Sequence, residues 1–489
     1  MGLSLLSVVP PAIFCYFVLS AARLLLIHPL RHVPGPRLWI CFPILRHISA
    51  MRGTFDINMR RFHTQYGEVV RFGPDEVSFI TPEAWKLIYG HGHAQLPKVV
   101  VPGSLGIDIF SANNVDHSRY RKALSHAFSA RGLQQQEPII KSYVDMLVAR
   151  LKGFADSQLP VDMVQWYNLT TFDMIGDLAF GESFGGLENS RCHYWVSTIF
   201  DFVKVVPFLK LKEAYPAIFP LLVGFLPKDL LSARQKQAVY ARNTVQNRLH
   251  NTRAHGRGDF MDSMLRHYNE KDGLTDKELE ANATFLIIAG SETTVTLLSG
   301  VIYWLLKTPK ALAKATNEIR SVMQTEEDIN MQNVSTKLPY MLACLEEGFR
   351  MYPPVPTGQQ RQVVTPSNIS GYNIPPGTKV SVHQSAAYWS PTNFHNPQSF
   401  IPERWLPNAK SDPSSPFFFD KRDVLQPFSV GPRNCIGKNL AYAEMRLILA
   451  RTLWNFDVEL RRESLDWSDQ KTYTLWDKHQ LMCNVKLRA

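Results

Sequence analysis

Phe428-Ser-Val-Gly-Pro-Arg-Asn-Cys-Ile-Gly437 sets one cysteine between two glycines, at minus four and plus two, with Arg433 at minus two. A helix is expected at once, because Leu440, Ala443, Leu447, Ala450 and Trp454 recur on one face. Each piece has a use if a flat cofactor lies against the loop. Gly431 and Gly437 let backbone approach without a side chain. The helix N-terminus behind Cys435 directs amides and positive dipole at sulfur, lowering the thiol pKa toward the metal-binding thiolate. Arg433 can hold a carboxylate of the same cofactor in a bidentate contact. A buried, inert cysteine is the ordinary reading of any single Cys, but it leaves Gly, Arg, Cys and Gly together unaccounted for.

The other cysteines, at positions 15, 41, 192, 344 and 483, lie far apart with no CxxC pair. Neither a zinc knuckle nor a disulfide framework is indicated, and a reducing compartment fits. With 489 residues, 45% of them hydrophobic, the chain can bury a large core, and no linker, low-complexity stretch or internal repeat divides it. The net charge of +10 arises from 53 basic and 43 acidic residues spread along the sequence. That is unlike the dense tract of a nucleic-acid arm, so nucleic acid is not an expected partner.

Leu3 to Ala22 carries no charge, and an apolar run continues through Leu24 to Ile27, long enough to cross a bilayer despite Pro10 and Pro11. A cleaved signal peptide competes, with Ser20-Ala-Ala22 as the small residues of its cleavage site. Arg23, Arg31 and Arg37 on the C-terminal flank favour an anchor with the body in the cytosol, and Pro34-Gly-Pro36 makes a stiff hinge. The expected organisation is an anchor at 1–30, a hinge at 31–37 and one body at 38–489. Sequons at Asn168 and Asn333 would then stay unmodified.

The body reads as mainly helix with a small β portion. Glu68 to Phe72 and Glu76 to Ile80 form a hairpin around Gly73-Pro-Asp75, and Thr378 to Val382 and Met482 to Leu487 are later strands. A long helix is predicted from Asp276 to Lys307, capped by Thr275 with Glu278 and ended by Pro309. Its centre, Phe285 to Thr294, places Gly290, Glu292 and two threonines inside an apolar run; a kinked helix is the plain reading. Glu347 and Arg350 share one face of a helix closed by Pro353-Pro354, among apolar neighbours that suggest a buried pair, with Arg404 as a third member.

Phe428 to Gly437 resembles the haem-binding loop of cytochromes P-450 at every defining position. Glu347 with Arg350, Pro402-Glu-Arg404 and Ala289-Gly-Ser-Glu-Thr-Thr294 resemble that family's other three motifs, in order. The resemblance covers essentially the whole chain, including the anchor and Pro-Gly-Pro segment of microsomal members. Through Asp116 to Ser129 and Phe400 to Trp405 it is most similar to fungal secondary-metabolism enzymes of the kind that includes isotrichodermin hydroxylase.

The resemblance implies the cytochrome P-450 fold behind one transmembrane helix, and Cys435 as axial ligand of the iron of haem b, where a thiolate favours O–O cleavage. Arg433 and Arg361 would bind haem propionates. Four residues before Arg121 many members have tryptophan; this chain has His117, whose ring N–H could serve the same propionate as Arg121. Glu347, Arg350 and Arg404 would form a structural network behind the haem loop. Gly290 would open a groove for oxygen, Thr293 would donate its hydroxyl there, and Glu292 would relay protons through water.

No Gly-x-Gly-x-x-Gly fingerprint occurs, so electrons from NADPH would come through a separate reductase on the endoplasmic reticulum membrane, with cytochrome b5 a second candidate donor. Lys421, Arg422, Lys438, Arg119 and Lys122 are candidates for its docking face. By analogy the pocket is lined from 101 to 114, near Phe200, by Phe285 to Ala289, from 355 to 360 and by Tyr473 to Leu475, an apolar set that suits a lipophilic terpenoid or polyketide-like intermediate. The apolar region from Phe200 to Phe225, broken by prolines, could dip into the bilayer. Epoxidation or desaturation would use the same site as hydroxylation. A non-catalytic haem sensor is the reading from another class, and Glu292 with Thr293 speaks against it.

Overall fold

Gly73-Pro-Asp75 does turn the chain. A computed structural model describes residues 5–99, 104–191, 194–217, 229–250, 257–266, 268 and 273–488. Its strands are β1 (Val69–Gly73), β2 (Glu76–Phe79), β3 (Val161–Asp162), β4 (Arg361–Gln362), β5 (Ser367–Ile369), β6 (Tyr372–Ile374), β7 (Lys379–Val382), β8 (Phe456–Leu460) and β9 (Met482–Leu487). The helices that carry the fold are α1 (Leu5–Ala22), α2 (Phe55–Tyr66), α3 (Pro82–Tyr89), α4 (Asn114–Leu124), α5 (Ala130–Ser157), α6 (Met163–Phe180), α7 (Tyr194–Ala214), α8 (Asp276–Lys307), α9 (Pro339–Met351) and α10 (Lys438–Asn455). The chain forms two units, residues 1–99 with 357–393 and 421–433, and residues 100–356 with 394–420 and 434–489.

The first unit is built on a four-stranded sheet ordered β1-β2-β7-β4, in which β2 and β7 run parallel and the other pairs antiparallel. A second hairpin, β5-β6, lies beside it in the chain. Met59 and Phe62 of α2 bury against Val70 and Phe72, with Trp39 and Phe55 closing the cluster. α1 runs on into a π-helical turn, Arg23–Ile27, and Pro10 to Ile27 has a mean hydropathy of 1.8 with none of it buried. The end of this helix is tied down by Arg71 in β1. Its guanidinium donates to the carbonyl of Leu24 at 2.9 Å and twice to that of Pro74, and its N–H bonds the carbonyl of Pro34 at 2.8 Å. A side chain at Gly35 would overlap the carbonyl oxygen of Arg71.

In the second unit α8 is the central helix, 32 residues long, buried along most of its length and packed against α6, α9 and α10. The capping box forms: Glu278 N–H reaches Thr275 Oγ1, and Thr275 N–H reaches Glu278 Oε2 at 2.9 Å. α9 ends at Met351, two residues ahead of Pro353-Pro354, because proline disfavours helical backbone at the residue before it. A sheet ordered β3-β9-β8 completes the unit. In α7, Val205 and Leu211 are buried, so this part of the second apolar region packs into protein instead of dipping into a bilayer. Its other part, Ile218 to Val223, lies outside the described residues.

Candidate active site

Cys435 stands three residues before the first turn of α10, in the second unit. Arg121, on α4, grips the residue before it, donating through Nη1 to the carbonyl of Asn434 at 2.7 Å and through Nη2 to its Oδ1 at 2.6 Å. His117, one turn earlier on α4, is buried. The Cys435 side chain is exposed, yet the protein around it is dense enough that desolvation raises the thiol pKa, outweighing the Gly437 N–H and the charges of Arg121 and Lys438, which lower it. The Gly437 amide acts in the direction expected of the helix start, lowering the thiol pKa against the effect of burial.

The two glycines separate in role. Gly431 has φ +79° and a Cβ there would overlap the carbonyl oxygen of Tyr89, so the polypeptide itself requires it. At Gly437 a Cβ would meet Phe128 at 3.7 Å and Cys435 Sγ at 3.9 Å, ordinary contacts. Nothing in the second unit forbids a side chain there, and the demand for glycine falls on whatever lies beside the sulfur.

Arg361 and Arg433 lie in the first unit. Arg361 is 2% exposed, its guanidinium 5.5 Å from the Tyr89 ring, and its Nε and Nη1 make no hydrogen bond among the described residues. Burial, then the like charge of Arg433, lowers its pKa to about 10. Buried N–H groups without acceptors are costly, about 1–3 kcal/mol each, and a carboxylate would supply the acceptors and offset both charges. In the first unit the buried Nε and Nη1 of Arg361 suit a carboxylate such as a haem propionate, and in the second unit Cys435 offers a thiol at a helix start. The residues fit that group.

Within α8, Phe285, Ile288, Ala289 and Thr293 form a half-accessible stripe on an otherwise buried helix. Phe285 stacks on Phe110 at 5.3 Å, and Asn282 Oδ1 accepts the N–H of Ile109 at 2.8 Å, which fixes that segment beside the helix. Thr293 Oγ1 donates to the carbonyl of Ala289 at 2.7 Å. The absent Cβ of Gly290 faces Ile175 of α6 at 2.9 Å, so this glycine also lets two helices close on one another.

Glu292 is 1% exposed. Its Oε1 is paired with Lys478 and lies 3.4 Å from Thr296 Oγ1, and its Oε2 makes no hydrogen bond among the described residues. Burial raises its pKa and the Lys478 charge opposes the rise. Two partners were missed in the sequence. Lys478 sits in a polar turn with no pattern to mark it, whereas Glu444 interrupts the apolar face of α10 and was visible as a buried acid. Glu444 accepts from Thr294 Oγ1 at 3.0 Å, and burial pushes its pKa up to about 8.

Glu347, Arg350 and Arg404 come together, all fully buried. Arg350 bonds Glu347 twice, at 2.9 and 2.7 Å, and Arg404 Nε reaches it at 3.2 Å. The indole N–H of Trp405 and the backbone N–H of Ile401 complete the carboxylate. Asp420 is a fourth member, paired with Arg404, and balances the cluster at two charges of each sign. Of the docking candidates, Arg119 is withdrawn: it is held by Glu278, Asp116 and the carbonyl of Gly273. Lys421 pairs with Glu68 at the surface; Lys122 and Lys438 are exposed.

The family model described as cytochrome P450 matches residues 33–483. Cytochrome P450 monooxygenase olcB of Penicillium canescens is 59% identical over 97% of this chain and 96% of its own length. The trichothecene C-4 hydroxylase of Trichoderma arundinaceum is 55% identical over 94% and 93%, and the averantin hydroxylase of Dothistroma septosporum 43% identical over 95% and 88%.

Proposed function

Because the chain belongs to the cytochrome P450 family, and is a monooxygenase of it, we propose that it hydroxylates a lipophilic terpenoid or polyketide-like intermediate of fungal secondary metabolism. Haem b would supply the activation of dioxygen, and Cys435 would hold its iron, with Arg433, Arg361, His117 and Arg121 as the residues that would hold its propionates. Arg121 holds Asn434 and thereby the loop that presents the sulfur.

The observation that carries the reading is the stripe on α8. Phe285, Ile288 and Ala289 present an apolar wall, stacked on Phe110, and Thr293 ends that wall with a hydroxyl whose proton rests on the carbonyl of Ala289. A lipophilic substrate binds the wall and displaces water, Thr293 Oγ1 offers its proton at the polar end, and Glu292 behind it replenishes protons. The C-4 and averantin hydroxylases among the relatives favour hydroxylation over epoxidation or desaturation.

Electrons come from NADPH through a separate reductase, with cytochrome b5 a second donor, and Lys122, Lys438, Lys421 and Arg422 receive an acidic partner face. Residues 1–30 anchor the chain in the endoplasmic reticulum membrane, with residues 38–489 as the catalytic body in the cytosol; the apolar, wholly unburied helix from Pro10 to Ile27 supports this.

The ferrous carbon-monoxide difference spectrum of wild type beside Cys435→Ser tests the ligand: the serine protein should lose the thiolate-type Soret band, and its survival refutes the assignment. Thr293→Ala should keep haem and substrate binding while NADPH oxidation yields peroxide in place of product. Product mass separates a gain of one oxygen from a loss of two hydrogens.

A further inference from the structure

Five rings in the second unit touch in series. Trp476 stacks on Tyr352 at 4.3 Å, Tyr352 lies 5.1 Å from Trp467, Trp467 lies 5.3 Å from Tyr303, and Tyr303 lies 5.2 Å from Trp304. Indole and phenol alternate along the series, and these are the two ring types from which a strong oxidant can take one electron. Phenylalanine, at 28 residues the commonest aromatic of the chain, enters only past the end, where Phe400 stacks on Trp304. Core packing alone would be served by phenylalanine at each place. The series instead buries N–H and O–H groups that need acceptors. Trp476 donates to the carbonyl of Pro353 at 2.8 Å, Trp467 to that of His479 at 2.9 Å and Tyr303 to that of Leu465 at 2.9 Å, and Tyr352 donates to Gln470 Oε1. A carbonyl oxygen on each of the two inner indoles stabilises a positive charge on that ring.

The two ends differ. Trp476 is buried and lines, together with Glu292, one cavity of about 140 Å³. Tyr352 lies against α8, since a Cβ at Gly300 would meet its ring at 2.6 Å. This end is therefore beside the part of α8 that carries Thr293. Trp304 is half-buried, its Nε1 makes no hydrogen bond among the described residues, and Lys307 one turn further on is exposed.

We infer that the series Trp476–Tyr352–Trp467–Tyr303–Trp304 is an electron path that discharges the active site from the surface when oxygen has been activated and no substrate C–H bond is in reach. The inference rests on the reading that the reacting oxygen lies beside Thr293. Trp476 gives one electron to the oxidising site and becomes an indole radical cation, its N–H still bonded to the Pro353 carbonyl. Trp467 refills Trp476 across the Tyr352 ring, and Trp304 refills Trp467 across the Tyr303 ring. At the surface Trp304 takes an electron from a soluble thiol, the reductant of a reducing compartment. A second passage delivers the second electron. One oxygen atom, two electrons and two protons then leave as water, and two thiols end as one disulfide.

The test uses the full-length, haem-loaded enzyme consuming NADPH with its reductase and without substrate, with catalase present to remove free peroxide. Freeze-quench electron paramagnetic resonance reads the radical, and peptide mass spectrometry reads which residues gain oxygen. Wild type should show an indole radical and oxidation of Trp304, and added glutathione should abolish that oxidation. W467F keeps a ring in the middle of the series; oxidation should be lost at Trp304 and collect at Trp476. W304F loses no hydrogen bond among the described residues; oxidation should collect at Trp467, and the thiolate-type Soret band should decay sooner than in wild type. A normal carbon-monoxide spectrum before turnover shows that the fold and haem site persist in each variant. Equal oxidation of Trp304 in W467F and wild type would mean that oxidant reaches it from solvent, and an absence of oxidised indoles in wild type would mean that no electron leaves them; either result overturns the path. If Thr293→Ala couples NADPH to product like wild type, the placement of the reacting oxygen and this inference fail together. If it uncouples while W467F and wild type oxidise Trp304 alike, the placement stands and the path is wrong.

Discussion

Removing the charge of Glu347 should be among the most damaging single changes available to this fold. Its carboxylate accepts from Arg350 twice, from Arg404, from the indole of Trp405 and from the backbone of Ile401, with every charged partner fully buried. Glu347→Gln keeps the shape, but the cluster passes from two charges of each sign to a buried excess of one positive charge. Breaking a buried pair in this way costs about 3–5 kcal/mol. Arg350→Met removes the opposite charge and strands the carbonyls of Pro397 and Ser399, to which Arg350 donates at 2.6 and 2.9 Å, at about 1–3 kcal/mol for each unsatisfied group. The double variant E347Q/R350M removes one charge of each sign and leaves Arg404 paired with Asp420. Its loss of stability should fall short of the sum of the single losses by about 1–3 kcal/mol, the range of coupling for groups in one network. Urea denaturation followed by tryptophan fluorescence measures all three variants. Strict additivity would mean that Glu347 and Arg350 do not depend on each other, and the account of the cluster would be wrong.

Glu444 predicts a pH dependence. Burial raises its folded pKa from the ordinary 4.5 to about 8, so its contribution is fully present below the unfolded pKa and is lost as pH rises through the folded one. Stability should decline between about pH 4.5 and pH 8, by up to about 5 kcal/mol at 1.36 kcal/mol per unit, and E444Q should flatten that slope; an unchanged slope assigns it to other groups. Arg71→Met removes three hydrogen bonds from a fully buried guanidinium to the carbonyls of Leu24 and Pro74. The segment from 28 to 37 should become open to limited proteolysis in membrane-bound protein, whereas equal protection in variant and wild type would show that other contacts hold it. Thr474 carries φ +91°, a strained setting for a β-branched residue, and T474G should raise the free energy of urea unfolding by about 1 kcal/mol; a lowered value would mean that the threonine side chain is needed where it stands.

Local chemistry was legible in the sequence and distant pairing was not. The capping box of Thr275 and Glu278, the turn at Gly73-Pro-Asp75, the helix after Cys435 and the Glu347–Arg350 pair are all set by residues within a few positions of one another, where periodicity and turn propensity act. β9 came out with both ends as expected because its apolar run is bounded on each side. The parallel pairing of β2 with β7 joins residues some three hundred positions apart, and nothing in either strand names the other. The first unit is assembled from three stretches of chain, and no change of composition marks the points where the chain enters or leaves it.

The site repeats that division in its charges. Glu292 and Thr293 stand inside an apolar stretch where a polar group needs a reason, and Arg404, in Pro402-Glu-Arg-Trp405, was legible as a third member beside the Glu347–Arg350 pair. Lys478 stands among polar neighbours, Asp477, His479 and Gln480, and Asp420 follows three phenylalanines in a connecting segment; each becomes visible only when the fold lays it on Glu292 or Arg404. In both pairs the residue that sequence reading passes over is the one that arrives on a connecting segment, outside any helical periodicity. The same asymmetry explains the glycines. Gly431 and Gly290 were recognised by type, but what each accommodates, the Tyr89 carbonyl and the Ile175 side chain, belongs to a part of the chain that sequence spacing does not reach. At Gly437 the described residues supply only ordinary contacts, from Phe128 and from Cys435 itself.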